Sequence, residues 1–257
     1  MSGRSRYRRW AVTIIGLGLT ATVSGQSSAA RLAEGDRAFA AHRGAEAYAA
    51  YRAAVAADST SYEALWKLSR SEVDLGEAEP DAARRSAFYV SARAHAQQAV
   101  RIRPNHAEGH FAAARSAGRA ALAVSSRERI AYAKEVRAEA LEALKYDPDH
   151  AGALHVLGVW HAEVMRLNPI LRSIAKTFLG GQVFGTASWA EATRNMERAV
   201  AVDPTRIVHR LDLGMIYADR GMKTEARETF AWIARAPVTD ANDALYKSQA
   251  AARLRKL

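Results

Sequence analysis

Residues 211–230 read LDLGMIYADRGMKTEARETF, and they show the repeat pattern of the chain most clearly. Apolar side chains recur every three or four residues on both sides of a short break, which is the spacing of one buried face on an α-helix. The break, residues 220–223, contains a glycine of the kind that tight turns favour. The stretch therefore predicts two short antiparallel helices that bury small and large apolar residues against each other.

The same pattern returns along the chain. Four segments end alike, AVAADSTSYEAL at 54–65, AVRIRPNHAEGH at 99–110, ALKYDPDHAGAL at 143–154 and AVAVDPTRIVHR at 199–210. Small residues let neighbouring helices approach, and proline ends the second helix because it cannot donate a hydrogen bond and clashes with the preceding turn. Such units of about 34 residues are typical of the tetratricopeptide repeat. The sequence predicts an all-α tetratricopeptide-like α-solenoid of about five helix pairs with a C-terminal capping helix near Thr239.

The middle pairs are longer than the repeat requires. The second pair has a stretched turn at 75–83, and in the third pair Ser125 or Ser126 is a suitable N-cap for a lengthened helix. The fourth pair carries the largest insertion, residues 165–187, in which a short helix is predicted between Asn168 and Gly181. The apolar residues of this insertion either cover the array or face a lipid or a partner.

The first 30 residues have the form of an export signal. Four arginines within the first nine residues precede a mostly apolar run at residues 10–23, and small residues ending at Gly25 and at Ala30 offer two cleavage sites. The apolar run is shorter than the roughly 20 residues that span a bilayer comfortably. We expect residues 1–30 to be a signal peptide or an inner-membrane anchor, residues 31–257 to form the repeat domain, and the chain to be periplasmic or secreted.

The composition excludes several classes of protein. The 257 residues contain no cysteine, which excludes disulfides, thiolate metal sites, cysteine nucleophiles and a lipid-anchored lipoprotein. The formal charge is +10, of which +6 lies beyond the N-terminal segment. A basic balance fits an anionic membrane surface, an acidic partner or a solvated arginine-rich surface. Because no dense block of lysine and arginine follows the signal, we expect no nucleic acid among the partners.

No arrangement of residues in the sequence suggests catalysis. His106 and His110 lie four apart on a predicted helix, but the glutamate between them is at the wrong position for an HExxH metal site. The motifs of nucleophile elbows, Walker loops and dinucleotide sites are absent, and no acidic residues are spaced as a general acid and base. We expect a protein that is not an enzyme and that holds no metal and no cofactor.

The concave groove of the stacked array is the better candidate site. Its first half combines aromatic residues with arginines, which suits a protein or peptide segment bearing a carboxylate, and its second half is mostly apolar. The same groove would suit a phospholipid with its head group at the arginines. Alternatively, the tryptophan packs in the core and the arginines pair with Glu63, Glu72 or Glu108. The predicted groove residues are Trp66, Arg70, Phe111, Arg115, His155, Val159, Leu211 and Met215.

Beyond the generic repeat, five segments follow one another in the order of a known family: EALWKLSRSEVDLG (63–76), ALEALKYDP (140–148), HVLGVWHAEVMRL (155–167), TASWAEA (186–192) and ARAPVTDANDALYKSQAAARL (234–254). The chain resembles the regulator of microtubule dynamics family over nearly everything after the signal. The resemblance implies a repeat superhelix without catalysis. Eukaryotic members are associated with microtubules, mitochondria and membrane contact sites, and lipid binding in the groove has been proposed for some. Since the N-terminus resembles a bacterial export signal, only the fold and the groove are carried over.

The sequence thus favours a non-catalytic exported repeat protein that acts as a protein- or peptide-binding scaffold through its concave groove. The alternative is a phospholipid-binding or lipid-transfer module that uses the same groove. Phospholipid that co-purifies with the protein would distinguish the second function from the first.

Overall fold

Helices account for nearly all of the structure. A computed structural model describes residues 18–168 and 182–257, and in these ranges it contains eleven α-helices, two short 3₁₀ helices and no β-strand. The 3₁₀ helices span Ala121–Ala123 and Gln182–Thr186. The α-helices are α1 (Gly18–Ala40), α2 (Gly44–Ala57), α3 (Tyr62–Ala78), α4 (Ala82–Ile102), α5 (Ala107–Ala120), α6 (Ser126–Tyr146), α7 (Ala151–Arg166), α8 (Trp189–Val202), α9 (Ile207–Asp219), α10 (Lys223–Arg235) and α11 (Asp243–Leu254).

The described helices pack as five pairs followed by a single helix. Each odd-numbered helix from α1 to α9 contacts the even-numbered helix that follows it, and successive pairs contact each other in chain order. The last helix, α11, packs on α9 and α10. These contacts confirm the predicted all-α tetratricopeptide-like solenoid with its C-terminal helix.

Side-chain caps set where several helices begin. The side chains of Ser61, Asp81 and Ser188 each accept a hydrogen bond from a backbone N–H in the first turn of α3, α4 and α8. At α6 the Ser125 hydroxyl and the Glu128 carboxylate form a capping box, so Ser125 is the N-cap of the two candidates. Such caps satisfy donors that the first turn of a helix leaves unpaired.

Close packing within the pairs depends on small residues. A Cβ at Gly214 would lie 2.6 Å from the Phe230 ring, and one at Gly76 would lie 2.5 Å from the Tyr89 ring. Glycine at these positions lets the two helices of a pair approach with an aromatic ring between them. The alanines predicted at the contact positions of the second helices are fully buried: Ala47, Ala54, Ala92, Ala96, Ala99, Ala140, Ala143, Ala192, Ala199 and Ala226.

The lengthened pairs differ from the others mainly in their second helices. Both α4 and α6 have 21 residues, against 14 in α2 and α8, so the second and third pairs are lengthened in their second helices. The stretched turn predicted at 75–83 is wrong, because α3 runs to Ala78 and α4 begins at Ala82. The helix predicted between Asn168 and Gly181 lies outside the described residues. Near the end of the insertion, Phe184 is buried and stacks on Trp160 with 6.0 Å between ring centroids. The end of the insertion therefore packs against the array.

The first helix includes part of the predicted export segment. It runs from Gly18 to Ala40 without a break, and the buried Ser28 hydroxyl donates a 3.0 Å hydrogen bond to the Ala54 carbonyl of α2. Cleavage after Gly25 would keep this bond, whereas cleavage after Ala30 would remove it. Within residues 18–168 and 182–257, every helix is too short or too polar to cross a bilayer.

The last helix, α11, contacts the final helix pair, and the residue before it also reaches the second pair. Tyr246 packs in the apolar cluster that contains Leu211 of α9. The residue before α11, Asn242, reaches across to α3 and donates a 2.9 Å hydrogen bond to the Asp74 carbonyl. The C-terminal helix therefore joins the last pair to the second pair across the concave face.

Two residues before α11, Thr239 and Asp240, are suitable N-caps by residue type. The Asp240 carboxylate accepts a 2.9 Å hydrogen bond from the Asn242 backbone N–H. The backbone N–H groups of Thr239 and Asp240 in turn donate to the Asp243 carboxylate at 2.6 and 2.9 Å. Asp243 is almost fully buried. Its carboxylate folds the approaching chain into the first turn of α11, which fixes how the segment enters the groove.

Candidate functional site: the concave groove

The predicted groove residues lie on four first helices. Trp66 and Arg70 are on α3, Phe111 and Arg115 on α5, His155 and Val159 on α7, and Leu211 and Met215 on α9. Leu211 is buried and the other seven residues are partly buried. The two halves of this surface differ in their chemistry, because the first is charged and aromatic and the second is largely apolar.

Arg70 is held against aromatic rings. Its guanidinium carbon lies 3.6 Å from the centroid of the Phe39 ring on α1 and 5.2 Å from that of Trp66. Burial lowers the pKa of Arg70, and its Nε has no hydrogen-bond partner among the described residues. Because this Nε is itself buried, it can reach a ligand carbonyl or anion only if the neighbouring side chains move. Phe39 is absent from the predicted set, which starts at the second pair.

Phe111 connects the third pair to the fourth. Its ring centroid lies 4.7 Å from that of His150, and a Cβ at Gly152 would be 2.5 Å from the Phe111 ring. Glu108 lies beside them, 3.6 Å from His150 Nε2. Burial alone would raise the pKa of Glu108, but His150 and Arg70 lower it. This part of the groove therefore presents aromatic surface next to a stabilised carboxylate.

Arg115 belongs to a buried group of charges, here called the charge cluster: Asp74, Glu77, Arg115 and Arg119. The Arg115 guanidinium lies 2.7 Å from the Asp74 carboxylate and 3.2 Å from that of Glu77, which Arg119 reaches at 2.7 Å. Tyr246 of α11 donates its hydroxyl to the same Glu77 carboxylate. Arg115 therefore pairs within the protein, although with Asp74 and Glu77 in place of the glutamates considered from sequence.

The pKa values of the two carboxyl groups in the charge cluster are shifted in opposite directions. Burial would raise the pKa of Glu77, but the Arg119 and Arg115 guanidiniums lower it to about 2. At Asp74 the effect of burial prevails, and the pKa is raised although Arg115 opposes the shift. The difference follows from the number of partners, since Glu77 faces two guanidiniums and the Tyr246 hydroxyl.

A histidine–carboxylate pair lies in the second half of the groove. His155 Nε2 is 2.6 Å from Asp212 Oδ2, and the buried His209 ring lies 4.8 Å from the His155 ring. Burial, and then the charges of His155 and Arg206, lower the pKa of His209 to about 2, so this ring is neutral at neutral pH. The pair connects α7 to α9. Within the described ranges, no three histidine, aspartate or glutamate side chains are grouped to hold a metal ion.

The apolar residues of the predicted set are partly covered. Leu211 is only 2% exposed and packs in the same apolar cluster as Tyr246 of α11, and Val159 packs on the cluster between α7, α8 and α9. Leu211 therefore offers almost no surface to a ligand. Met215 lines a cavity of about 400 Å³ between α7, α9 and the end of α11. The cavity is lined by Glu163, Arg166, Met215, Ala218, Asp219, Phe230, Arg253, Lys256 and Leu257.

The charge cluster was missed from the sequence, although a signal for it exists. Arg70, Asp74 and Glu77 are spaced i, i+4 and i+7, so they share one face of α3. Arg115 and Arg119 are spaced i, i+4 on α5 and face them. The contribution of Asn242 and Tyr246 has no comparable signal, because nothing local shows that α11 returns to α3.

Comparison with solved structures agrees with this architecture. A crystal structure of a thermophilic tetratricopeptide-repeat protein from Thermus thermophilus matches at a TM-score of 0.60 and 18% identity, over 88% of this chain and 99% of that one. PilF of Pseudomonas aeruginosa matches at 0.47 and 15% identity, over 91% and 88%. MamA of Desulfovibrio magneticus RS-1 matches at 0.46 and 16% identity, over 84% and 94%. Among curated proteins there is no significant match.

The family comparison covers the whole repeat domain. The family model described as Regulator of microtubule dynamics protein 1-3 matches residues 31–257. The match includes all four groove-lining helices and α11, and it agrees with the resemblance that the sequence suggests. The chain therefore belongs to the regulator of microtubule dynamics protein 1-3 family.

Proposed function

We propose that the protein is a non-catalytic scaffold that holds a polypeptide segment of a partner protein in its concave groove. One observation carries the proposal: the groove already accommodates polypeptide, since Asn242 bonds to α3 and Tyr246 lies between Glu77 of α3 and the apolar cluster of Leu211 on α9. Side chains there bind backbone and side-chain acceptors of α3, as when a groove recognises a helical peptide. The ionisable groups around it are largely paired with one another, which supports binding rather than chemistry.

The uncovered part of the groove suits a segment with an apolar anchor beside a carbonyl or carboxylate group. Trp66 and Phe111 are partly exposed aromatic residues, and the guanidinium of the partly buried Arg70 lies against the Phe39 and Trp66 rings. Aromatic residues and arginine supply much of the binding energy at protein interfaces. In this proposal Arg115 contributes only after the charge cluster rearranges, because its guanidinium already binds Asp74 and Glu77.

The proposal extends to the place where the partner is met. The basic start and the apolar run of residues 1–30 support export, as a cleaved signal or as a membrane anchor. Fusing residues 1–35 to a reporter enzyme that is active only outside the cytoplasm tests this part. We expect an active fusion, and a silent one would contradict export.

Photo-crosslinking in the host tests the groove. A benzophenone amino acid replaces Trp66 or Phe111, and Val90, which is 59% exposed on the second helix α4, serves as the control position. We expect discrete protein adducts from positions 66 and 111 and none from position 90. Equal adducts from all three positions would contradict a groove-specific partner. So would phospholipid bound to the purified protein in native mass spectrometry together with no protein adduct.

A further inference from the structure

The two ends of the superhelix meet along one line, here called the α3–α11 seam. Asn242 donates a 2.9 Å hydrogen bond to the Asp74 carbonyl, and Tyr246 donates to Glu77; these partners are 168 and 169 residues apart in the chain. Beside them, the Cβ of Ala241 lies 3.7 Å from where a Cβ at Gly44 would be. The seam thus closes the first two helix pairs onto the last helix.

The two sides of α11 make different kinds of contact. Toward α3 the contacts are hydrogen bonds to Asp74 and to the charge cluster. Toward α9 and α10, Tyr246, Ala250 and Leu254 pack in an apolar cluster. Hydrogen bonds lost on separation are replaced by bonds to water, whereas buried apolar contacts have no such replacement. Separating α11 from α3 therefore costs less free energy than separating it from α9 and α10.

The seam also contains a small cavity with a volume of about 20 Å³, enough for a water molecule. Ser71, Asp74 and Asp240 supply polar groups to its lining, and Phe39 and Ala241 supply apolar surface. The Ser71 hydroxyl is buried and has no hydrogen-bond partner among the described residues. A buried hydroxyl without a partner is destabilising, so opening the seam would let water satisfy the Ser71 hydroxyl.

We propose that the α3–α11 seam is an autoinhibitory clasp. When it is closed, α11 and the residues before it occupy the groove; when it opens, the charge cluster becomes accessible to a partner. This inference rests on the proposed function, because it describes the regulation of the same groove. The clasp opens as the superhelix spreads, with α11 still packed on α9 and α10.

The contacts of the closed clasp define the chemistry of the partner. Asn242 and Tyr246, four residues apart at the start of a helix, donate an amide and a phenol to acceptors on α3. The partner that replaces them is a helical protein segment that carries similar donors one turn apart. It competes with the chain's own α11 for the Asp74 carbonyl and the Glu77 carboxylate.

Thiol labelling of the full chain measures opening without any partner. Since the chain has no cysteine, Ser71→Cys introduces one thiol at a position that is 3% exposed at the seam. The matched control is Ser69→Cys on the same helix, at a position that is 0% exposed and roughly 200° around the helix axis. We expect a maleimide to react faster with Ser71→Cys, at a rate nearly independent of low urea, whereas Ser69→Cys should react only through global unfolding.

A second substitution, Tyr246→Phe, is designed to weaken the clasp. Tyr246→Phe keeps the ring in its apolar cluster and deletes the hydrogen bond to Glu77. Because that acceptor is ionised, the labelling rate of Ser71→Cys should rise roughly tenfold. An unchanged rate would mean that this bond does not hold the seam closed.

A disulfide across the seam tests whether the clasp controls the groove. The 3.7 Å between the Ala241 Cβ and a Cβ at Gly44 suits a disulfide. In the photo-crosslinking assay at position 111, oxidised Gly44→Cys/Ala241→Cys should lose its protein adduct and regain it on reduction. Each single variant, which cannot form the bond, should keep its adduct under oxidation.

The outcomes separate this inference from the proposed function. Equal labelling of Ser71→Cys and Ser69→Cys, with the same urea dependence, means that the seam opens only on unfolding and overturns the clasp. Clear opening with adducts that survive oxidation also overturns it as a regulator. A reduced protein that forms no adduct at all contradicts the proposed function, while the labelling rates still decide whether the seam opens.

Discussion

A neutral histidine buried beside the groove links protonation to folding. Burial lowers the pKa of His209 to about 2, whereas histidine in an unfolded chain titrates near about 6.5. Below that value the unfolded chain binds a proton that the native chain does not bind. The contribution of His209 to stability is therefore fully present above about pH 6.5 and is progressively lost as the pH falls toward its folded pKa.

Replacing His209 with glutamine should reduce this acid sensitivity. Between pH 7 and pH 5 the contribution of this one group falls by about 2 kcal/mol in the unmodified protein, and His209→Gln lacks that loss. Urea unfolding midpoints at the two pH values measure the difference. His161, whose pKa is also lowered by burial, is present in both proteins and contributes equally to both. Identical losses in the two proteins would show that His209 is not the group responsible.

Replacing glycine with alanine should have opposite effects on stability at Gly214 and at Gly118. A Cβ at Gly214 would lie 2.6 Å from the buried Phe230 ring, whereas one at Gly118 would lie 3.7 Å from Val136 Cγ2, an ordinary contact. Gly214→Ala should therefore destabilise the protein by about 1–3 kcal/mol, because the ring must shift in a packed core. Gly118→Ala should stabilise it by up to about 1 kcal/mol through helix propensity. Chemical denaturation of the two variants decides, and a stabilising Gly214→Ala would contradict the packing argument.

Among the elements, α1 bears most directly on the two cleavage sites expected from the sequence. It extends on the N-terminal side of Ala30, and the buried Ser28 hydroxyl bonds to the Ala54 carbonyl of α2. The family match, in contrast, begins at residue 31. The first pair of the array is thus completed by residues that lie between the two cleavage sites expected from the sequence.

A chain that begins at Gln26 should be more stable than one that begins at Arg31. The longer chain keeps the Ser28 hydrogen bond and the helical turn around it, which together contribute about 1 kcal/mol or more. Urea midpoints of the two purified proteins provide the measurement. A third chain that begins at Gln26 and carries Ser28→Ala separates the hydrogen bond from the added helix. Equal midpoints for all three would show that α1 is already complete at residue 31.

At the scale of the whole molecule, the contact between α11 and α3 changes how far the effect of a substitution extends. In an open repeat array each pair contacts only its neighbours, so a substitution at one end leaves the other end undisturbed. Here the last helix bonds directly to α3, and the chain between them runs through three further pairs. The two ends are therefore energetically coupled through a contact and not through the array.

This coupling predicts a remote effect of Asn242→Ala. The substitution removes the hydrogen bond to the Asp74 carbonyl, so backbone amides in the second half of α3 should exchange with solvent roughly fivefold faster. Hydrogen-exchange mass spectrometry resolves α3 from the central helix α6, whose amides should be unchanged. If faster exchange were confined to α9, α10 and α11, the ends would be uncoupled.

Sequence reasoning succeeds over short distances along the chain and fails over long ones. The contact between Gly214 and Phe230 and the cap at Ser125 follow from periodicity and local hydrogen bonding, so they are predictable. The positions of Trp66 and Phe111 on successive first helices follow in the same way. The bond between Asn242 and Asp74 joins residues that are 168 positions apart in the chain. In the sequence, a polar residue at such a contact cannot be distinguished from a polar residue that faces solvent. The helices that carry the predicted groove residues were therefore predictable, and the contact between α11 and α3 was not.

The bond between α11 and α3 also bears on how the family can evolve. Open repeat arrays gain or lose whole repeats by duplication and deletion, since each new unit needs only a compatible neighbour. In this protein α11 meets Asp74 and Glu77 because a fixed number of pairs carries the superhelix round to them. Adding or deleting one pair would rotate and displace α11 away from α3. A change in repeat number, which an open array tolerates, would therefore break the contact between the two ends of this protein.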